Sequence, residues 1–180
     1  MPENVEITTL SSTVVYANVW LSVREDQIER RDGSRGLYSV IDQRDFALVI
    51  PFENNGFHLV EQFRYPIGAR SWEFPAGSLP SGVSGSPQDT AAAELAEETG
   101  YTAGRWEELG YIHCSTGTSN QGAHVFLATD LTAGQPRREP TEQDMCHRWF
   151  SGVEVEDMMR TGVITDGPSL AGYMLMKLHG

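Results

Sequence analysis

The sequence predicts a mixed α/β chain of the α+β type, and three observations carry that expectation. Runs rich in β-branched and aromatic residues fill the first part of the chain and return after residue 107. One strongly punctuated helix lies between them, and two further helical stretches follow the last strand. Strands and helices do not alternate regularly, which disfavours a doubly wound parallel sheet. At 180 residues the chain fits one principal domain with a small N-terminal extension, long enough to bury a proper core.

Residues 13–24 (TVVYANVWLSVR) read as strand, and 25–30 continue it with mixed polarity to the turn signal Asp32-Gly33. Residues 36–42 follow at hairpin distance. Residues 46–52 and 57–65 flank Glu53-Asn54-Asn55-Gly56, a hairpin signal because Asn-Gly adopts positive φ at low cost. Residues 76–89, rich in Gly, Ser and Pro, read as an exposed loop. Ser86 is placed to cap the helix that follows, Pro87 suits its first position, Asp89 completes a capping box, and Gly100 supplies the stop. Strands are expected at 108–114, 123–131 and 146–150, with a polar connection at 132–145, and helices at 153–162 and 168–178.

A net charge of −12 argues against a nucleic-acid partner, because nothing would neutralise a phosphate backbone. A small phosphorylated ligand is compatible with it if divalent cations offset the carboxylates. Two cysteines, Cys114 and Cys146, cannot make a disulfide framework or a four-ligand zinc site, and are expected as buried thiols. The segment MPENVEITTL lacks a basic stretch followed by an apolar run. No segment approaches the roughly 18 apolar residues of a membrane span, so a cytoplasmic protein without membrane contact is expected.

At about 100° per residue, Glu94, Glu97 and Glu98 share one face of the central helix, opposite Ala92, Leu95, Ala96 and Thr99. Such a trio suits either a solvated acidic face or a site for a hard cation with oxygen ligands, Mg²⁺ or Mn²⁺. Its surroundings decide between the two. The chain reads Trp72-Glu73-Phe74-Pro75-Ala76-Gly77, then a loop, then Ala93-Glu94-Leu95-Ala96-Glu97-Glu98-Thr99-Gly100-Tyr101. Here it resembles the Nudix hydrolase family, whose box ends in Arg-Glu-apolar-x-Glu-Glu-x-Gly-apolar. The lead-in and the upstream LVEQFRYPIG (59–68) are similar to the ADP-ribose pyrophosphatase branch, and the resemblance runs from about Tyr16 to Leu178. Two features depart from the pattern. Glu94 lies seventeen positions after Gly77, two more than in the family, and no acid stands at the family's first glutamate, where Gly85 falls. The family's arginine is Ala93 here.

The resemblance implies a Nudix-type α/β/α sandwich with a mixed β-sheet, over residues 46–180, and an N-terminal β extension, residues 1–45, that forms a homodimer. It implies that Gly77 (through its carbonyl), Glu94, Glu97 and Glu98 hold Mg²⁺ or Mn²⁺ against the diphosphate of a small nucleoside diphosphate derivative. Glu97 and Glu98 are then catalytic through the cation, and Glu142 on the loop 138–145 serves as base, with Glu139 and Asp144 behind it. Arg64 is expected on the phosphates, Glu73 on a ribose or as a brace of the loop, and Trp20, with Tyr16 nearby, on the base. Gln121 stands near where relatives often place an acid. His113 and His124 read as structural. The activity implied is hydrolysis of ADP-ribose to AMP and ribose 5-phosphate. An NDP-sugar hydrolase, for instance of GDP-mannose, and a non-hydrolytic nucleotide-binding protein are the alternatives.

Overall fold

A computed structural model of the chain describes residues 6–78, 85–138 and 144–179. Two compact units emerge, one running to Arg44 and including His113–Gly122, the other made of Asp45–Ile112 and the chain after Gly122.

The first unit is a three-stranded antiparallel sheet in the order β1 (Ile7–Ala17), β2 (Leu21–Arg30), β3 (Arg35–Gln43). The continuous strand expected over 13–24 is instead two strands. The Asn18 carboxamide oxygen accepts the main-chain N–H groups of Trp20 (2.8 Å) and Leu21 (2.9 Å), turning the chain back. Gly33, at φ 82°, makes the next turn where Asp32-Gly33 predicted one. The 113–122 segment lies along β3, with Ile41 N–H donating to the Thr118 carbonyl (2.8 Å).

The second unit is built on a mixed seven-stranded sheet. Strands β4 (Phe46–Glu53) and β5 (Gly56–Arg64) form the expected hairpin, but its turn is Asn54-Asn55, both at positive φ (50° and 59°), and not the Asn-Gly pair, since Gly56 already belongs to β5. They pair only at the turn, through Phe52–Phe57 and Glu53–Gly56, and then diverge. Into this fork run β6 (Ala69–Glu73), antiparallel to β5, and β7 (Ala76–Ser78), antiparallel to β4. Strand β9 (Gly122–Ala133) lies parallel to β4, β8 (Tyr101–His113) flanks β9, and β10 (Cys146–Ser151) is antiparallel to β5. Strand β8 starts at Tyr101 rather than 108, because its Gly-containing, polar first half carries little strand signal.

Residues alternate across β4. Ala47 and Val49 pack with Ala91 and Leu95 of the central helix and with Phe126, while Leu48 and Ile50 pack with Phe74, Val155 and Tyr173 on the other face. That second face is covered by α2 (Gly152–Arg160) and α3 (Gly167–His179), completing an α/β/α sandwich. Gly172 lets α3 settle closely, since a Cβ there would lie 2.7 Å from a Leu48 methyl group. Both cysteines are exposed, against expectation: Cys114 follows β8 in a surface turn, and Cys146 starts the edge strand β10. Among the described residues no helix is long and apolar enough to cross a membrane.

Candidate active site at the sheet fork

The site residues stand where the sheet divides. Helix α1 (Pro87–Glu94) starts as its sequence dictates: Ser86 Oγ accepts the Asp89 N–H (3.2 Å), and the Asp89 carboxylate accepts the Ser86 N–H (2.8 Å). These bonds hold the Asp89 carboxyl below the usual carboxylate range. After Glu94 the backbone widens into a single π turn, Leu95–Thr99, which Gly100 closes at φ 81°. Uniform α spacing was the expectation. π turns are rare and recur at functional sites, and this one carries Glu97 and Glu98.

Two of the three glutamates converge on β7. A Cβ on Gly77 would lie 1.8 Å from Glu94 Oε1, so the carboxylate presses on the glycine backbone through space that only a hydrogen leaves. The Ala76 N–H donates to Glu98 Oε2 (3.3 Å), and Glu98 is only 1% exposed. Glu97 is half-buried. Among the described residues no three His, Cys, Asp or Glu side chains form a closed metal cage. The candidate donors are all oxygen, with the Glu94 carboxylate set against the Gly77 main chain. This fits Mg²⁺ or Mn²⁺, which bind through one or two carboxylates and complete their shells with water and substrate oxygens, better than it fits zinc.

Beside these carboxylates lies a cavity of about 400 Å³ lined by Arg64, Pro66, Ile67, Ser71, Glu73 and Asp166. Arg64 Nε donates to both oxygens of the buried Glu73 (2.9 and 3.0 Å), and its Nη2 bonds the same carboxylate. That bond, with smaller contributions from Asp166 and Glu98, raises the Arg64 pKa and keeps the guanidinium charged at the cavity wall. The structure thus joins two residues that the sequence treated separately, and gives Glu73 the part of a brace for Arg64. The same lead-in is held from beneath, where the Phe74 N–H donates to Ser169 Oγ (2.9 Å).

Sequence reasoning missed Asp166. Its Oδ2 accepts the Ser169 N–H (2.8 Å) at the start of α3, and burial, opposed by that bond, raises its pKa. The signal was present as an N-cap pattern, Asp-Gly-Pro-Ser, at residues 166–169. Arg138, which reaches the end of the π turn, was missed too. Glu142 and Glu139 lie outside the described residues. Asp144 pairs with Arg70 (2.9 Å). Trp20 and Tyr16 belong to the N-terminal unit, where Trp20 is 70% exposed in the β1–β2 turn, and the Gln121 amide donates to the Arg44 carbonyl (2.9 Å). His124 packs edge-on to Tyr111, with ring centroids 5.0 Å apart.

Residues 42–170 match a family profile described as NUDIX domain, and residues 7–41 match one described as nucleoside diphosphate sugar hydrolase N-terminal domain. The chain is 31% identical over 172 residues to an ADP-ribose pyrophosphatase of Mycobacterium tuberculosis, covering 94% of this chain and 82% of that protein. It is 28% identical over 159 residues to one of Bacillus subtilis, covering 88% and 84%. A mouse ADP-sugar pyrophosphatase is 37% identical over 107 residues, covering 56% of this chain and 48% of that one. In fold, the chain matches the crystal structure of an ADP compounds hydrolase with a TM-score of 0.85 at 16% identity, over 96% of this chain and 92% of that one.

Proposed function

The chain belongs to the Nudix hydrolase family, and from that membership we propose that it hydrolyses the diphosphate bond of nucleoside diphosphate derivatives with a divalent cation. The observation that carries this reading is the packing of the Glu94–Glu98 turn on Ala76 and Gly77, beside a cavity walled by the Arg64–Glu73 pair. ADP-ribose is the leading substrate, giving AMP and ribose 5-phosphate, supported by the activities of the bacterial relatives. The N-terminal match and the mouse relative favour NDP-sugars, such as GDP-mannose, as the second reading.

Glu94, Glu97, Glu98 and the Gly77 carbonyl are the residues that would hold Mg²⁺ or Mn²⁺. Once bound, the cation offsets the charge of the diphosphate and acidifies water. Glu73 takes the Nε–Nη2 edge of Arg64 and keeps it charged and oriented, which leaves the Nη1 side of the guanidinium for the diphosphate. Glu142 takes the proton as the oxygen of water bonds to one phosphorus; the bridging P–O bond breaks, and its electrons leave with the departing phosphate. Trp20, contributed by a second copy across the dimer interface, stacks on the base. Residues 1–45 act as a dimerising extension and 46–180 as the hydrolase domain of a cytoplasmic homodimer.

Purified protein with Mg²⁺ or Mn²⁺, offered ADP-ribose, NDP-sugars and dinucleoside polyphosphates, should release product fastest from ADP-ribose. Glu98→Gln should lower kcat by about 100-fold or more, as losses of transition-state charge stabilisation do. Tight nucleotide binding without turnover would instead identify a binding protein, and an unchanged rate in Glu98→Gln would remove that residue from the site.

A further inference from the structure

The helix that carries the carboxylates has no basic residue of its own. Asp89, Glu94, Glu97 and Glu98 lie along Pro87–Thr99 without a lysine or arginine, and Ala93 precedes the cluster. Its C-terminal end also presents main-chain carbonyls that no later turn can satisfy, and carries the negative end of the helix dipole. Both needs are met from a segment about forty residues further on. Gly134, Gln135 and Pro136 run flush against Gly100, so close that a Cβ there would lie 2.7 Å from the Pro136 nitrogen. A Cβ on Gly134 would in turn lie 2.7 Å from the Gly100 oxygen. The Arg137 N–H then donates to the Glu97 carbonyl (2.9 Å). Arg138 finishes the contact: its Nε donates to the Glu98 carbonyl (3.2 Å), and its Nη1 donates to the carbonyl of Met145, itself 2% exposed.

We infer that Arg138 is the positioning residue of the carboxylate turn. It clamps the main chain of Glu98 to the buried Met145 and supplies the positive charge that the end of the helix lacks. One planar guanidinium makes both bonds, so the main chain at Glu98 keeps a fixed offset from the stem of β10 and both carboxylates keep their aim. An ammonium does not repeat this arrangement, because its three N–H donors radiate from one nitrogen without the rigid planar fork. The inference rests on the metal-site reading above, and its test is arranged to separate the two.

Mn²⁺ binding to the full chain is measured by titration calorimetry, the steady-state constants with ADP-ribose, and hydrogen exchange in a peptide covering residues 94–101, for Arg138→Ala, Arg138→Lys and Arg137→Ala. Arg138→Ala should weaken Mn²⁺ about 10-fold or more and lower kcat by a similar factor, as losses around a metal site do. KM should stay within about threefold, and exchange at 94–101 should accelerate. Arg138→Lys keeps the charge but not the planar fork, so it should still weaken Mn²⁺ about threefold or more, though less than Arg138→Ala; it replaces that variant if the alanine chain does not fold. Arg137→Ala, which loses only a side chain while the bonding N–H remains, should behave like the parent. Mn²⁺ affinity within twofold of the parent in the arginine-138 variants overturns the inference. If the parent chain binds no Mn²⁺, the metal-site reading falls, and the exchange rates then decide the clamp alone: faster exchange in Arg138→Ala upholds it, unchanged exchange refutes it.

Discussion

A single hydrogen separates Gly77 from an alanine that would collide with Glu94. The colliding atoms are the end of a flexible side chain, 1.8 and 2.0 Å from the added carbon, and Gly77 is not among the positive-φ residues, so Glu94 swings away and the backbone stays. Gly77→Ala should therefore fold with nearly the parent melting temperature yet lose about 10-fold or more in Mn²⁺ affinity and turnover. A large drop in melting temperature with intact metal binding would show that the contact serves stability instead. The glutamates and this glycine were legible in the sequence because carboxylates at helical spacing behind a glycine-bearing lead-in form a local pattern. Asp166 and Arg138 were not singled out, because Asp166 meets Arg64 and Glu73, and Arg138 meets the Glu98 carbonyl, only when distant segments fold together.

The central helix and the Asn54-Asn55 hairpin were legible for the same reason, since caps and turns are written within four residues. The π turn was not, as its residues read like any helix, and the β1–β2 turn hid inside an unbroken run of strand formers. Pairing between β5 and β10 brings together groups that no local pattern foretells. His58, 2% exposed on β5, stands between Glu53 (2.7 Å) and His147 of β10 (2.9 Å), with the Tyr101 ring against both imidazoles. Burial, then the charges of His58 and Arg138, lower the His147 pKa to about 4. An imidazole kept neutral in the fold binds fewer protons than the unfolded chain between pH 6.5 and 4, so it removes stability as the pH falls through that window. His147→Gln should flatten the fall in melting temperature from pH 6.5 to 4 while leaving its slope above pH 7 unaltered, whatever offset the lost His58 contact adds. An unaltered slope between pH 6.5 and 4 would assign the acid sensitivity to other groups.

For the whole chain, strand runs and helix punctuation carried the mixed α/β class and the resemblance carried the sandwich, while the fork between β4 and β5 depends on register that no local run encodes. The N-terminal sheet leaves Ile7, Val14, Tyr16 and Trp20 between 46% and 70% exposed, apolar area that a second copy would cover. Light scattering should give twice the 19.9 kDa of the chain, and Val14→Glu should shift that mass toward the monomer. A monomer at micromolar concentration would refute the dimer and weaken the proposal for Trp20. Strand β4 acts as a partition wall, since the two cores on its faces share no residue. Ala47 and Val49 support the helix that bears the carboxylates, while Leu48 and Ile50 share a cluster with Phe74 and Ala76 of the lead-in, so the site is underwritten from both sides of one strand. A substrate-altering change on either side of that wall therefore draws on stability as well.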